Sequence, residues 1–190
     1  EALNDFSEEQ SLFFFFPDED ATSVPTPDLA PLGFLLPNEP SLLALEALGQ
    51  HQTLGISGGT DAHQNVFPIS ASDGERIDSY RRMMRWFNTR LRISETTSPS
   101  EVKSAMRSGR TWIAFEAFGS PVGFDFYASD GEGSHELGSE LTVSETTTLH
   151  LTLPTLHENS PQGNISPHVR GILFRADENG RETVMEWTEG

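Results

Sequence analysis

Apolar and polar positions follow two different rhythms along this chain. As far as about residue 118 the apolar residues come at helical spacing or in short solid runs, and beyond Gly119 they alternate with polar ones. Asn38 as a cap, Pro40 in the first turn, leucines at 42, 43, 45 and 48, and Gly49 at the end predict a helix over 38–49. The run Thr53 to Ser57 then predicts a short buried strand. Ile77, Tyr80, Met84 and Phe87 form a stripe that predicts a second helix over 73–87 with those residues in the core. Arg81, Arg82 and Arg85 would lie on its solvated face, with phosphate steering as the lesser reading. Ser98-Pro99-Ser100-Glu101 is a capping box that starts a third helix ending at Gly109, and a strand over Thr111–Phe115 follows.

After Gly119 the alternation of Val122, Phe124, Phe126 and Ala128, and of Leu149, Leu151 and Leu153, predicts strands with one apolar face. Two more strands, over 168–176 and 182–187, flank a turn at Asn179-Gly180. Near the start, Phe13 to Phe16 would place rings on both faces of a buried strand. Asp18, Glu19 and Asp20 lack the spacing of a calcium loop and suit a solvated turn. The expected fold class is therefore α/β over 1–118, built of repeated helix-then-strand units, with a small antiparallel β-sandwich-like domain over 119–190.

The stretch with most chemical content is Thr53 to Asn65, where the predicted strand runs through Gly58-Gly59-Thr60 into Asp61 and His63. If the chain is extended there, residues i and i+2 point to one side, so that an oxygen and a nitrogen ligand converge as zinc, manganese or iron would require. The plainer alternative has Asp61 capping a turn and His63 held by a hydrogen bond. Gln64 and Asn65 follow directly and could touch a substrate or close a turn. His51 sits at the opposite end of the strand and is expected to be structural; His135, His150, His157 and His168 are expected to be surface or strand histidines.

Composition narrows the function. Twelve Lys and Arg against 29 Asp and Glu give a net charge of −17, which disfavours nucleic acid and anionic membrane surfaces as partners. The absence of cysteine rules out disulfides, thiolate zinc sites and a cysteine nucleophile, so any metal would rest on histidine and carboxylates. No run approaches the ~20 apolar residues of a membrane-spanning helix.

The segment Gly55-Ile56-Ser57-Gly58-Gly59-Thr60-Asp61-Ala62-His63 resembles the last metal-binding motif of the PHP (polymerase and histidinol phosphatase) superfamily, which ends a barrel strand with Asp-x-His. Ser100 to Phe115 looks like the helix, Gly-Arg turn and strand that follow that motif, and Gly119 to Ala128 with its β-rich tail is similar to the carbaryl-hydrolase-like branch. The resemblance implies the C-terminal portion of a distorted (β/α) barrel and a metal-dependent hydrolase of phosphoesters or related esters and amides. Asp61 and His63 would be its catalytic metal ligands, and a small-molecule ester its substrate. The family's amino-terminal His-x-His motif has no counterpart in this sequence. The remaining ligands are thus expected from an N-terminal half of the barrel, as a missing or separate polypeptide. The rival expectation is a non-catalytic binding or structural protein that keeps the scaffold and meets a partner or polymer through its β tail. The acidity, the lack of cysteine and the β tail point to an extracytoplasmic location, periplasmic or secreted.

Overall fold

The computed structural model describes residues 28, 38–65, 70–71, 73–93, 98–116, 119–157 and 170–188. In chain order its elements are α1 (Glu39–Gly49), α2 (Tyr80–Met84), β1 (Phe87–Leu91), α3 (Pro99–Arg107) and β2 (Thr111–Phe115). The strands β3 (Ser120–Val122), β4 (Asp125–Ser129), β5 (Ser134–Glu136), β6 (Thr148–Thr152), β7 (Thr155–His157), β8 (Arg170–Asp177) and β9 (Gly180–Thr188) complete the described part. The Phe13–Phe16 run and the Asp18–Asp20 turn lie outside the described residues, as does His168.

The (β/α) barrel expected for 1–118 is not what forms. Strand outweighs helix, 37% against 20% of the described residues, and every ladder is antiparallel, in small separate sheets β1-β2, β3-β7, β5-β4-β6 and β8-β9. The decisive connection is the one through α3. Gly109 turns the chain in the left-handed region (φ +69°), and the Arg92 amide donates to the Arg110 carbonyl at 2.9 Å. The chain therefore re-enters at the end it left, with Leu91 opposite Thr111 and Phe87 opposite Phe115. A parallel β-α-β unit would need a crossover to the far end instead.

Local signals are met where capping chemistry is strong. The Asn38 side chain accepts from the Ser41 amide at 3.2 Å, and Ser98 Oγ accepts from the Glu101 amide at 3.2 Å. Burial is another matter. No residue of α1 is buried; its Glu39 and Glu46 face Arg181 of β9, and the Gln50 side chain donates to the Asp177 carbonyl, which leaves Leu43, Leu45 and Leu48 exposed. Buried apolar side chains among the described residues are small or few: Trp86, Ala105, Ala114 and Ala128.

The described residues 119–157 and 170–188 are β-rich as expected and touch what precedes them. Trp112 lies 5.4 Å from Phe124, ring centre to ring centre. Apolar residues of β2, β4, β6 and β8, among them Ile113, Phe126, Leu151 and Ile172, line one open groove of about 470 Å³. These strands belong to three of the small sheets and share that one groove.

The long second helix is replaced by turns over 73–78 and a helix of 5 residues, capped by Ser79. The expected core stripe is inverted: Tyr80 and Met84 are 50% and 61% exposed, while Arg82 is 1% exposed. Its guanidinium meets Asp28 at 2.6 Å, Asp73 at 2.7 Å and Glu75 at 3.6 Å. Arg81 also bonds Asp28 at 2.9 Å and Glu75, and Arg85 reaches Asp28 at 3.5 Å. Arg76 forks onto Asp78 at 2.7 and 2.8 Å beside this cluster. A buried guanidinium so answered cannot turn outward without stranding the carboxylates, which is why the arginine and not the Tyr80–Met84 stripe points inward.

Two outcomes follow for stability. Arg82→Ala, which removes the buried guanidinium and leaves Asp73 without its arginine while Asp28 keeps Arg81 and Arg85, should lower the unfolding free energy by about 1–3 kcal/mol, measured by urea titration with circular dichroism. Hydrogen bonds from Arg81, then Ser79, hold Glu75 down from 4.5 to about 2. Its contribution is present above 4.5 and lost as pH falls towards 2. Glu75→Gln should therefore flatten the acid limb of the stability curve across that window, and an unchanged limb would contradict the assignment.

Candidate metal pair at Asp61 and His63

The segment that carries the pair is held by side chains and glycines. It lies along β1, β2 and the end of α3, yet forms no ladder, so the strand expected over Thr53–Ser57 does not form. The Ile56 amide donates to Thr111 Oγ1 at 3.0 Å, and Gly58 exchanges hydrogen bonds with Thr89 Oγ1 at 3.0 and 3.2 Å. Thr53 Oγ1 donates to Glu140 at 2.6 Å. Gly55 passes so close to α3 that a Cβ there would fall 1.7 Å from the Met106 carbonyl oxygen. Two threonine hydroxyls thus take the place of backbone partners, and the chain is free of the sheet by Gly59.

Asp61 then adopts a left-handed conformation, φ +52°, which aspartate tolerates better than most residues. The Asn65 amide closes a tight turn onto the His63 carbonyl at 2.7 Å. Convergence of the pair therefore comes from a turn and not from the extended i, i+2 geometry expected. His63 Nε2 lies 3.4 Å from Asp61 Oδ2, with side-chain exposures of 48% and 93%. On its other side His63 Nδ1 lies 2.9 Å from Asn65 Oδ1. Gln64 is exposed on the same turn, and His51 is exposed in the turn after α1, away from this arrangement.

This geometry has a definite electrostatic consequence. Asn65 Oδ1 can only accept, so Nδ1 carries a proton and donates it. In the neutral ring Nε2 is then an acceptor facing another acceptor, Asp61 Oδ2. Two lone pairs at that distance are placed to share a cation, either a proton or a metal ion. With the proton, His63 becomes imidazolium, and its pKa is raised by the hydrogen bond to Asn65 and then by Asp61, with a smaller field from Asp78. With a metal, ligand bonds of about 2.1 Å in tetrahedral array place two donors about 3.4 Å apart. The Asn65 carbonyl would serve as the outer partner that fixes a ligating ring. The residues present fit one edge of a divalent site.

A second acidic group must be weighed. Asp28, Asp73 and Glu75 are the only three potential ligands among the described residues that converge within 4.8 Å of one another. Their charges are already met by Arg81, Arg82 and Arg85, and hydrogen bonds from Arg81 hold Asp28 below the usual carboxylate range. A cation there would have to displace a buried guanidinium, so the cluster is an ion-pair core. Neither Arg81 nor Arg82 is free to steer phosphate.

His150, expected to be a surface or strand histidine, lies on β6, where its Nε2 is 2.8 Å from Ser129 Oγ and its ring stacks on Tyr127 at 4.4 Å. The alternation of β4 places Asp125, Tyr127 and Ser129 on one side, but the strand that supplies the histidine is a matter of pairing, which alternation does not encode. No family model matches this chain, and neither the curated proteins nor the solved structures include a match to it.

Two measurements check the site. In an NMR titration His63 should titrate above the ordinary 6.5, and both Asn65→Ala and Asp61→Asn should move it down; an unmoved midpoint in both would contradict the contacts. Gly55→Ala should cost at least the roughly 1–3 kcal/mol of overpacking and shift the amide signals of residues 56–63, read in the same spectra.

Proposed function

We propose that Asp61 and His63 are two ligands of a divalent zinc, manganese or iron ion in a metal-dependent hydrolase of phosphoesters or related esters and amides. The observation that carries this reading is the pair of acceptors 3.4 Å apart, one on a ring whose far nitrogen is engaged by Asn65. Even a minimal catalytic zinc site takes three protein ligands and an open position. Asp61 is almost wholly exposed, which suits a site completed by a second polypeptide laid against this turn. The likeness of Gly55–His63 to the PHP motif supports phosphoesters first, although the barrel that the likeness implied is not part of this reading.

Within such a site the chain's own residues have separate tasks. Asn65 holds the His63 ring so that Nε2 faces the ion, Asp61 supplies the charged ligand, and Gln64 hydrogen-bonds the substrate at the rim. The chemistry a bound ion supplies is Lewis acidity towards a phosphoryl or carbonyl oxygen. Protonation of His63 competes with metal binding, so affinity falls as pH drops through its raised pKa.

Calorimetric titration with zinc chloride at pH 7.5 tests the reading. Wild type should bind one equivalent, and Asp61→Ala combined with His63→Ala should weaken binding at least about tenfold, some 1.4 kcal/mol. Identical isotherms for the two proteins would overturn it. They would favour a non-catalytic binding protein, a reading supported by the absence of a third converging ligand at Asp61 and His63 among the described residues.

A further inference from the structure

The sheet β5-β4-β6 has two unlike faces. Phe126, Leu151 and their neighbours turn to the apolar groove, while the opposite face is polar and concave. Register builds that polar face row by row. Glu136, Tyr127 and His150 stand opposite one another across the three strands, and Ser134, Ser129 and Thr148 form the next row. A cleft of about 470 Å³ lies over them, within the roughly 300–1,000 Å³ range of ligand sites. A solvated sheet face is ordinarily polar and flat, so concavity and an aromatic wall are what set this one apart.

The wall is the Tyr127–His150 pair, with rings 9° from parallel. Ser129 Oγ pins His150 at 2.8 Å, which keeps the stack upright. Arg92 reaches in from the end of β1 and sits between Asp125 at 3.3 Å and Glu136 at 3.4 Å. One guanidinium against two carboxylates disfavours an anionic ligand, and the −17 charge of the chain adds to that. The same guanidinium answers both acids, so no bare acidic pocket is left for a cation.

What remains is a surface that both donates and accepts. Arg92 donates, Asp125 and Glu136 accept, and the Tyr127, Ser129 and Ser134 hydroxyls do either. A ligand dense in hydroxyl groups, each of which also donates and accepts, satisfies such a row, and its C–H faces suit a ring wall with one apolar and one wet side. We propose that this cleft binds an uncharged saccharide. The site is independent of the metal pair: it uses other residues and holds whether or not Asp61 and His63 bind an ion.

The test is an NMR titration of the full ¹⁵N-labelled chain with cellohexaose, xylohexaose, maltohexaose and mannohexaose in turn. At least one should give saturable shifts centred on the amides of β4, β5 and β6. Its affinity should fall at least about tenfold in Glu136→Gln, which preserves side-chain size on an exposed strand, and in Tyr127→Ala. Four flat titrations would overturn the proposal, as would shifts confined to other elements or undiminished binding by Glu136→Gln. Saturable binding of tetramethylammonium at these amides, with none of the sugars, would make the cleft an organic-cation site and overturn it equally.

Discussion

A guanidinium withdrawn from water has to be met by fixed negative charge on nearly every side, and Arg82 is met by Asp28, Asp73 and Glu75. Asp73 and Glu75 share the turn just before α2, whereas Asp28 lies 54 residues from Arg82, so satisfying one side chain ties that distant segment to the turn and the helix. The cost of desolvating the arginine is large, and removal of any partner leaves charge uncompensated. That constraint fixes which face of α2 turns inward, and the buried Trp86 follows before the chain enters β1 at Phe87. Asp78, forked onto Arg76 at the edge of the cluster, also adds to the field at His63.

From β1 onward a second device takes over. Thr89 and Thr111 lie on neighbouring strands, and each uses its side-chain oxygen to satisfy the backbone of the 53–58 segment. Side-chain support of this kind fixes position without extending the sheet, and it ends where the threonines end. The chain beyond is then free to turn, and the left-handed Asp61 brings carboxylate and imidazole face to face at the surface.

In the β-rich part, alternation separates two chemistries on the two faces of one sheet. The apolar face shares a groove with β2 and β8, and the polar face gathers Tyr127, His150 and the acids around Arg92. Arg92 directly follows β1, so the cleft depends on contact between the β-rich part and what precedes it. The Thr53–Glu140 hydrogen bond and the Trp112–Phe124 contact strengthen the same junction.

Local chemistry was legible in the sequence wherever a few neighbouring residues decide the outcome. The caps at Asn38 and Ser98, the turn after α3 at Gly109, the strand Thr111–Phe115 and the alternating strands beyond Gly119 are all of that kind, because capping and period-2 burial act within a few residues. Nearness of Asp61 to His63 was legible as well, though by a different backbone route. The direction of strand pairing, the inward turn of Arg82 and the outward leucines of α1 were not. Each depends on which distant group is available: Asp28 for Arg82, Arg181 for the acidic edge of α1, Leu91 for Thr111. A helical stripe states that one face prefers burial, but an ionic network that cannot be left half-satisfied outweighs that preference. Only the tertiary structure supplies the partners that let it do so.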